Sequence, residues 1–268
     1  MLGGVLARAV TSLRLRALDL RDRALGRSDR LVPPRRLRGF AGDSDFLATG
    51  AELLGLLGTH GGLRNTSRVL DVGCGIGRMA RPLAGYLSTD GSYDGFDVNR
   101  DGIAWCRRRY RRHPNFRFEV ADIFNARYNP HGAHRADEYR FPHDDASFDL
   151  VIATSVFTHL LETDATHYLA ECERVLVPGG RLFATFFLLN DTSRALMADG
   201  RAGLQFLDVD ERLAILDESL PEEAVAYDDE WVFETLRANG MELTGLHPGS
   251  WSGRDEHVSF QDIVIAHA

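Results

Sequence analysis

Residues 69–78 read Val69-Leu70-Asp71-Val72-Gly73-Cys74-Gly75-Ile76-Gly77-Arg78. The apolar run into Asp71 and Val72 describes a buried strand, and the alternate glycines describe a turn that leaves it for a helix. Glycine lets the main chain take conformations a side chain forbids and lets it approach a ligand closely. The decamer therefore predicts a nucleotide-like ligand held against backbone at the carboxyl end of a strand. A dinucleotide-binding turn spaced G-x-G-x-x-G would need its third glycine at position 78, where Arg78 stands.

Outward from this turn, strand and helix patterns alternate. Arg68–Val72, Ser92–Asp97, Phe116–Val120, Leu150–Thr154 and Arg181–Phe186 read as short buried strands, with helices near Met79–Leu87, Arg100–Arg112 and Ala165–Val175. Such alternation predicts a parallel sheet covered by helices on both faces. The end of the chain departs from it: a helix over Glu230–Ala238 precedes strands at Glu242–Leu246 and Ser259–Ala266. The loop between those two strands contains Gly249 and Gly253, which predicts an antiparallel hairpin. The expected fold is α/β and doubly wound, with a seven-stranded, mostly parallel sheet whose last strand is antiparallel. Residues 67–268 are the expected domain, with lid insertions at 125–147 and 188–228. Residues 1–66 are an N-terminal helical arm, in which Val5, Val10, Leu13, Leu20 and Leu25 interleave with arginines up to Pro33-Pro34. A second helix follows, capped from Asp43-Ser44-Asp45 and apolar at Phe46, Leu47, Leu53, Leu54 and Leu57. The arm reads as a docking element against its own domain or a homodimer partner in preference to a membrane surface.

A chain of 268 residues, 44% hydrophobic, with a net charge of -8, can bury one substantial core beneath an acidic surface. All 31 basic residues are arginine, which excludes lysine Schiff-base chemistry. Cys74, Cys106 and Cys172 share no disulfide or zinc spacing. No apolar stretch is long enough to span a bilayer, and the first segment lacks the order of a secretory signal, so a cytoplasmic protein is expected; the all-arginine skew reads as the codon bias of a GC-rich, bacterial genome. The basic run Arg107–Arg112 falls at a helix end, where it complements the helix dipole; nucleic acid is not an expected partner.

Asp71-x-Gly73-x-Gly75-x-Gly77 resembles motif I of the class I S-adenosylmethionine-dependent methyltransferases, and the resemblance extends over roughly residues 67–187. It implies that Asp71, Gly73, Cys74, Gly75, Gly77 and Arg78 hold the amino-acid tail of the cofactor, with Asp71 orienting its amino group directly or through Arg78 and water. Asp97, with Val98 and Asn99 after it, would accept the ribose hydroxyls. Asp122 and Ile123 would meet the adenine, and Thr154 would end the strand at the methyl-transfer point. Leu176–Leu182 resembles the turn before the fifth strand, and the final hairpin matches the family's antiparallel seventh strand. The cofactor would be S-adenosylmethionine; a divalent metal near His131 and His134 matches no tight ligand spacing.

The segment Ala153-Thr154-Ser155-Val156-Phe157 lacks the Asn/Asp-Pro-Pro-aromatic pattern used on planar amino groups, and no cysteine stands where carbon methylation of pyrimidines would need one. Oxygen methylation remains, and a neutral hydroxyl needs a base. Ligands bind at the carboxyl edge of such sheets, so the loop 248–257 is the leading acceptor loop. His257 is the first candidate base, with Arg254 and Trp251 as substrate contacts; His143 is the second and His159 the third. Tyr128 and Tyr227, in the insertions, are further acceptor contacts. The expected acceptor is a small polar molecule, a saccharide fragment or a secondary metabolite. The alternatives are a catalytically inactive cofactor-binding regulator and, more weakly, an N- or RNA methyltransferase.

Overall fold

A computed structural model describes residues 14–22, 24, 25, 29–38 and 45–268. Val5, Val10, Leu13 and the cap candidates Asp43 and Ser44 lie outside the described residues. Residues 14–22 are helical, as is Arg35–Arg38, and Arg35 ties the two together through Asp19 and Asp22. Helix α1 (Phe46–Thr59) starts at Asp45, whose carboxylate accepts from the amides of Leu47 and Ala48 and so satisfies two of the orphan N–H groups of the first turn.

The main sheet is ordered β3-β2-β1-β4-β5-β11-β10, from β1 (Arg68–Val72), β2 (Ser92–Asp97), β3 (Phe116–Val120), β4 (Phe148–Ala153), β5 (Leu176–Phe186), β10 (Glu242–His247) and β11 (Asp262–His267). The first five are mutually parallel, and β11 runs antiparallel between β5 and β10. Two cores form because side chains alternate across the pleat. Leu70, Val72, Val151, Ala153, Leu182 and Ala184 face α4 (Glu162–Val175) and α6 (Asp229–Ala238). Val69, Leu150, Ile152 and Phe183 face α1, α2 (Ala80–Tyr86) and α3 (Arg100–Arg109). Burial on both faces is why the strands read as continuous apolar runs.

The insertions are folded structure. Residues 188–228 build a second sheet, ordered β6-β9-β8-β7, from β6 (Leu188–Leu189), β7 (Leu207–Asp208), β8 (Leu213–Ile215) and β9 (Val225–Asp228), with α5 (Asp191–Ala198) beside it. Phe187, Leu189, Phe206, Ala214, Ala224, Ala226 and Trp251 form its core. Residues 125–147 are strapped to α4: the Phe141 amide donates to Glu171, while Arg174 donates to Glu171, to Asp145 and to the carbonyls of Phe141 and His143. No helix among the described residues is long and apolar enough to cross a membrane.

Candidate functional site

A cavity of about 470 Å³ opens at the carboxyl edge of β1, β2 and β4, where the order of the sheet reverses around β1. The glycine turn forms its floor. Gly73, Gly75 and Gly77 have φ of 70°, 57° and 81°, the left-handed region. At Gly73 the restriction is also steric, since a Cβ would lie 2.6 Å from Val156 Cγ2 on the segment leaving β4. Lacking a side chain, Gly73 lets the segment leaving β4 pack close over the turn.

Asp71 ends β1 beneath this turn and is 1% exposed. Tyr93 donates to its Oδ2 at 2.5 Å, but its Oδ1 is buried with no hydrogen-bond partner. Burial raises its pKa to about 7, against the Tyr93 hydrogen bond and the nearby Arg78 guanidinium, with Asp97 adding to the rise. An unsatisfied buried acceptor of this kind costs free energy unless a cation or donor meets it. Asp97 ends β2 and is held by two backbone donors, Gly75 N on Oδ2 and Asn99 N on Oδ1, both at 2.7 Å. Burial raises its pKa and those amides oppose the rise. Each oxygen retains a lone pair, and the carboxylate lines the cavity. Asn99 itself serves as the N-cap of α3, accepting from Gly102 N at 2.9 Å.

Across the cavity stand Tyr128 and His159. The His159 ring is oriented by Glu222: Nδ1 lies 3.0 Å from that carbonyl oxygen, which can only accept, so Nδ1 carries the proton. Nε2 is then bare, and Tyr128 Oη donates to it at 3.2 Å. Asn125 holds both partners, donating to the His159 carbonyl and accepting from the Tyr128 amide. Burial lowers the His159 pKa, which keeps the ring neutral near pH 7. Ser155, just past β4, has φ of 56°, a strained value for a residue with a Cβ. It is locked there by a donation from its amide to Thr185 Oγ1 (2.8 Å) and from its hydroxyl to Gln261 Oε1 (2.9 Å). The outer wall is apolar: Phe124, Phe187, Leu204, Leu216 and Phe260.

Of the residues singled out in the sequence, Asp71, Gly73, Cys74, Gly75, Arg78, Asp97, Val98, Ile123, Thr154 and Tyr128 line this cavity together. Gly77 shapes the turn from behind, its amide donating to the Cys74 carbonyl. Asp122 turns outward to Arg100 Nη2 at 2.9 Å, leaving its neighbours Ala121 and Ile123 on the wall. Several acceptor-site expectations are corrected. Trp251 is fully buried against Phe187 and Phe206, with Nε1 donating to Asp262, and has no open face for a ligand. Tyr227 is equally buried, its hydroxyl on the carbonyls of Phe157 and Leu160. Arg254 holds Asn190 Oδ1, and His257 is exposed outside the cavity with Nδ1 against the Arg254 carbonyl. His143 packs edge-on to Phe148, away from the opening, and burial lowers its pKa. The loop 248–261 does reach the cavity, through Phe260 and Gln261. The signal for His159 was its place in a 3-10 turn four residues beyond β4, the strand beside the glycine turn. Among the described residues no group of three or more His, Cys, Asp or Glu side chains is placed to hold a metal.

Residues 70–184 match the family described as a methyltransferase domain. Over 121 residues the chain is 36% identical to the phthiotriol/phenolphthiotriol dimycocerosates methyltransferase 1 of Mycobacterium ulcerans (strain Agy99), covering 44% of this chain and 36% of that protein. Over 137 residues it is 34% identical to the 27-O-demethylrifamycin SV methyltransferase of Amycolatopsis mediterranei (strain S699), covering 51% and 44%. The chain thus spans less than half the length of these curated relatives. Among solved structures, the 1,6-didemethyltoxoflavin-N1-methyltransferase of Burkholderia thailandensis, with S-adenosylhomocysteine bound, superposes with a TM-score of 0.53 at 16% identity, over 97% of this chain and 89% of that one.

Proposed function

We propose, for a chain whose residues 70–184 form a methyltransferase domain of the class I fold, transfer of a methyl group from S-adenosylmethionine to a hydroxyl oxygen on an acceptor with an apolar body. The observation that carries the cofactor is Asp71 Oδ1, a buried carboxylate oxygen without a hydrogen-bond partner, set beside glycine backbone at the cavity. Asp71 would hold the ammonium of the amino-acid tail, Asp97 the ribose hydroxyls, and Val98, Ala121 and Ile123 the flat faces of the base. The cofactor, when bound, supplies an electrophilic methyl group; the protein aligns the acceptor oxygen behind it.

The proton goes to His159. On methyl transfer the acceptor's hydroxyl proton would pass to Tyr128 Oη and the phenolic proton to His159 Nε2, and the resulting imidazolium would be steadied by the Glu222 carbonyl. Arg127 sits 5.4 Å over the Tyr128 ring and pairs with Glu223, fixing the phenol's position. The wall of Phe124, Phe187, Leu204, Leu216 and Phe260 favours a hydrophobic acceptor over a bare sugar. The names of the two curated relatives, one acting on a rifamycin and one on dimycocerosates, support that class.

Titration calorimetry with S-adenosylhomocysteine tests the first half, and nitrogen NMR of His159 tests the second. Binding in the wild type, lost at least tenfold in Asp71→Asn, is expected. The His159 spectrum should show a protonated Nδ1 and a bare Nε2 at pH 7, with Nε2 moving in Tyr128→Phe. Absence of binding overturns the cofactor reading, and an Nε2–H tautomer overturns the relay. In a mass-spectrometric screen of hydrophobic alcohols and phenols, a 14 Da gain that falls about 10²–10⁴-fold in His159→Asn is the expected activity readout.

A further inference from the structure

A second concavity, of about 290 Å³, is lined by Arg30, Leu31, Arg108, Arg109, Arg111, Arg112 and His113. Two distant segments make it. One is the stretch before Pro33-Pro34; the other is the C-terminal end of α3 with the turn that follows. Leu31 packs into the core beneath it, so the arm is anchored there.

Five arginines line this cleft in a chain whose net charge is -8. Among the described residues, Arg30, Arg108, Arg111 and Arg112 form no ion pair with a carboxylate. The nearest acid in sequence to Arg30 is Asp29, and its carboxylate is engaged by Arg81 at 2.8 Å. Arg109 lies over the Trp105 ring, its Cζ 5.9 Å from the centroid. The carbonyl end of α3 offsets part of this charge, and Arg111 donates to the Arg108 carbonyl. One helix terminus, equivalent to roughly half a charge, does not balance the four arginines that pair with no carboxylate. Planar guanidinium groups facing a concave space are the side chains best matched to phosphate oxygens.

We propose that this cleft is a binding site for a phosphate-bearing anion, separate from the methyl-transfer cavity. The glycine turn meets the first turn of α3, near Gly102, whereas the cleft lies at the helix's other end, about 15 Å away at 1.5 Å per residue. The phosphate can belong to a soluble ester or to a lipid headgroup, and the chemistry of recognition is the same for both.

The test compares the full chain with an Arg108→Gln/Arg111→Gln/Arg112→Gln variant, using inorganic pyrophosphate in calorimetry and, separately, sedimentation with vesicles of phosphatidylglycerol in phosphatidylcholine. S-Adenosylhomocysteine binding in the variant controls for folding. At least one probe is expected to bind the wild type, to weaken several-fold between 50 and 300 mM salt, and to lose tenfold or more in the variant. Pyrophosphate alone assigns a soluble ester; vesicle binding displaced by pyrophosphate assigns a headgroup. No binding of either probe, or equal binding by the variant, overturns the proposal.

Discussion

Asp71 ties the chemistry of the site to pH. Its folded pKa of about 7 lies above the ordinary aspartate value of 3.8, with burial as the main cause. A carboxyl group raised in this way binds more protons folded than unfolded between those two values. The unliganded protein therefore loses stability as pH climbs from about 4 to about 7. Affinity for a cationic tail moves the other way, because only the carboxylate attracts it. Between pH 6 and pH 8 the ionised fraction rises from about a tenth to about nine tenths, so S-adenosylhomocysteine should bind about tenfold more tightly at pH 8. Calorimetry at both values checks this, and Asp71→Asn should bind weakly and without the pH dependence. A flat wild-type profile would sink the assignment of Asp71 as the group that meets the ligand. This residue was legible in the sequence because strand, acid and glycines are contiguous. His159 was harder to see, since its partners Tyr128 and Glu222 come from two other segments and only the fold brings it, and not His143 or His257, to the cavity.

At the scale of elements, the segment 125–147 shows how an insertion becomes a wall. Read from sequence it is a long interruption before β4, without periodicity. What fixes it is a pair on α4, Glu171 and Arg174, whose side chains are 9% and 15% exposed. Spaced i and i+3, such a pair ordinarily decorates a solvated helix face and is worth little. Here burial works against the Glu171 carboxylate, but donations from Arg174 and the Phe141 amide hold its pKa below the usual range. Arg174→Met strands that acid and releases the carbonyls of Phe141 and His143. Removing one member of a buried pair costs about 3–5 kcal/mol, discounted here to about 3 by partial exposure. For a chain of this size that corresponds to a fall in Tm of roughly 6–12 °C, measurable by calorimetry or fluorescence. A fall below about 2 °C would show the strap to be ornamental. A Glu171→Gln/Arg174→Met double variant should be less affected than the single, because the unpaired charge is gone.

The whole molecule divides into a part the sequence announces and a part it conceals, and the two should respond differently to a ligand. Parallel strands with apolar residues facing both layers are continuous in sequence, so β1 to β5 are legible. The small sheet is not, because β6, β7 and β8 are two or three residues long and its core borrows Trp251 and Phe206 from segments 45 residues apart. The cavity residues Asp71, Gly75, Asp97 and Thr154 belong to the first part, whereas Phe187, Leu204, Leu216 and Ala224 belong to the second. A ligand on the first part stabilises the state in which the large sheet is formed by RT ln(1 + [L]/Kd), about 2.7 kcal/mol at a hundred-fold excess over Kd. Amides of β1, β4 and β5 that exchange only by global opening should then slow by about a hundred-fold with S-adenosylhomocysteine. The exposed β7 and the turn after it, which open locally, should exchange at an unchanged rate until an acceptor also binds. Hydrogen exchange read by mass spectrometry separates these outcomes. Uniform slowing across both sheets would mean that the small sheet opens only with the large one, and that the acceptor wall is already set when the cofactor arrives.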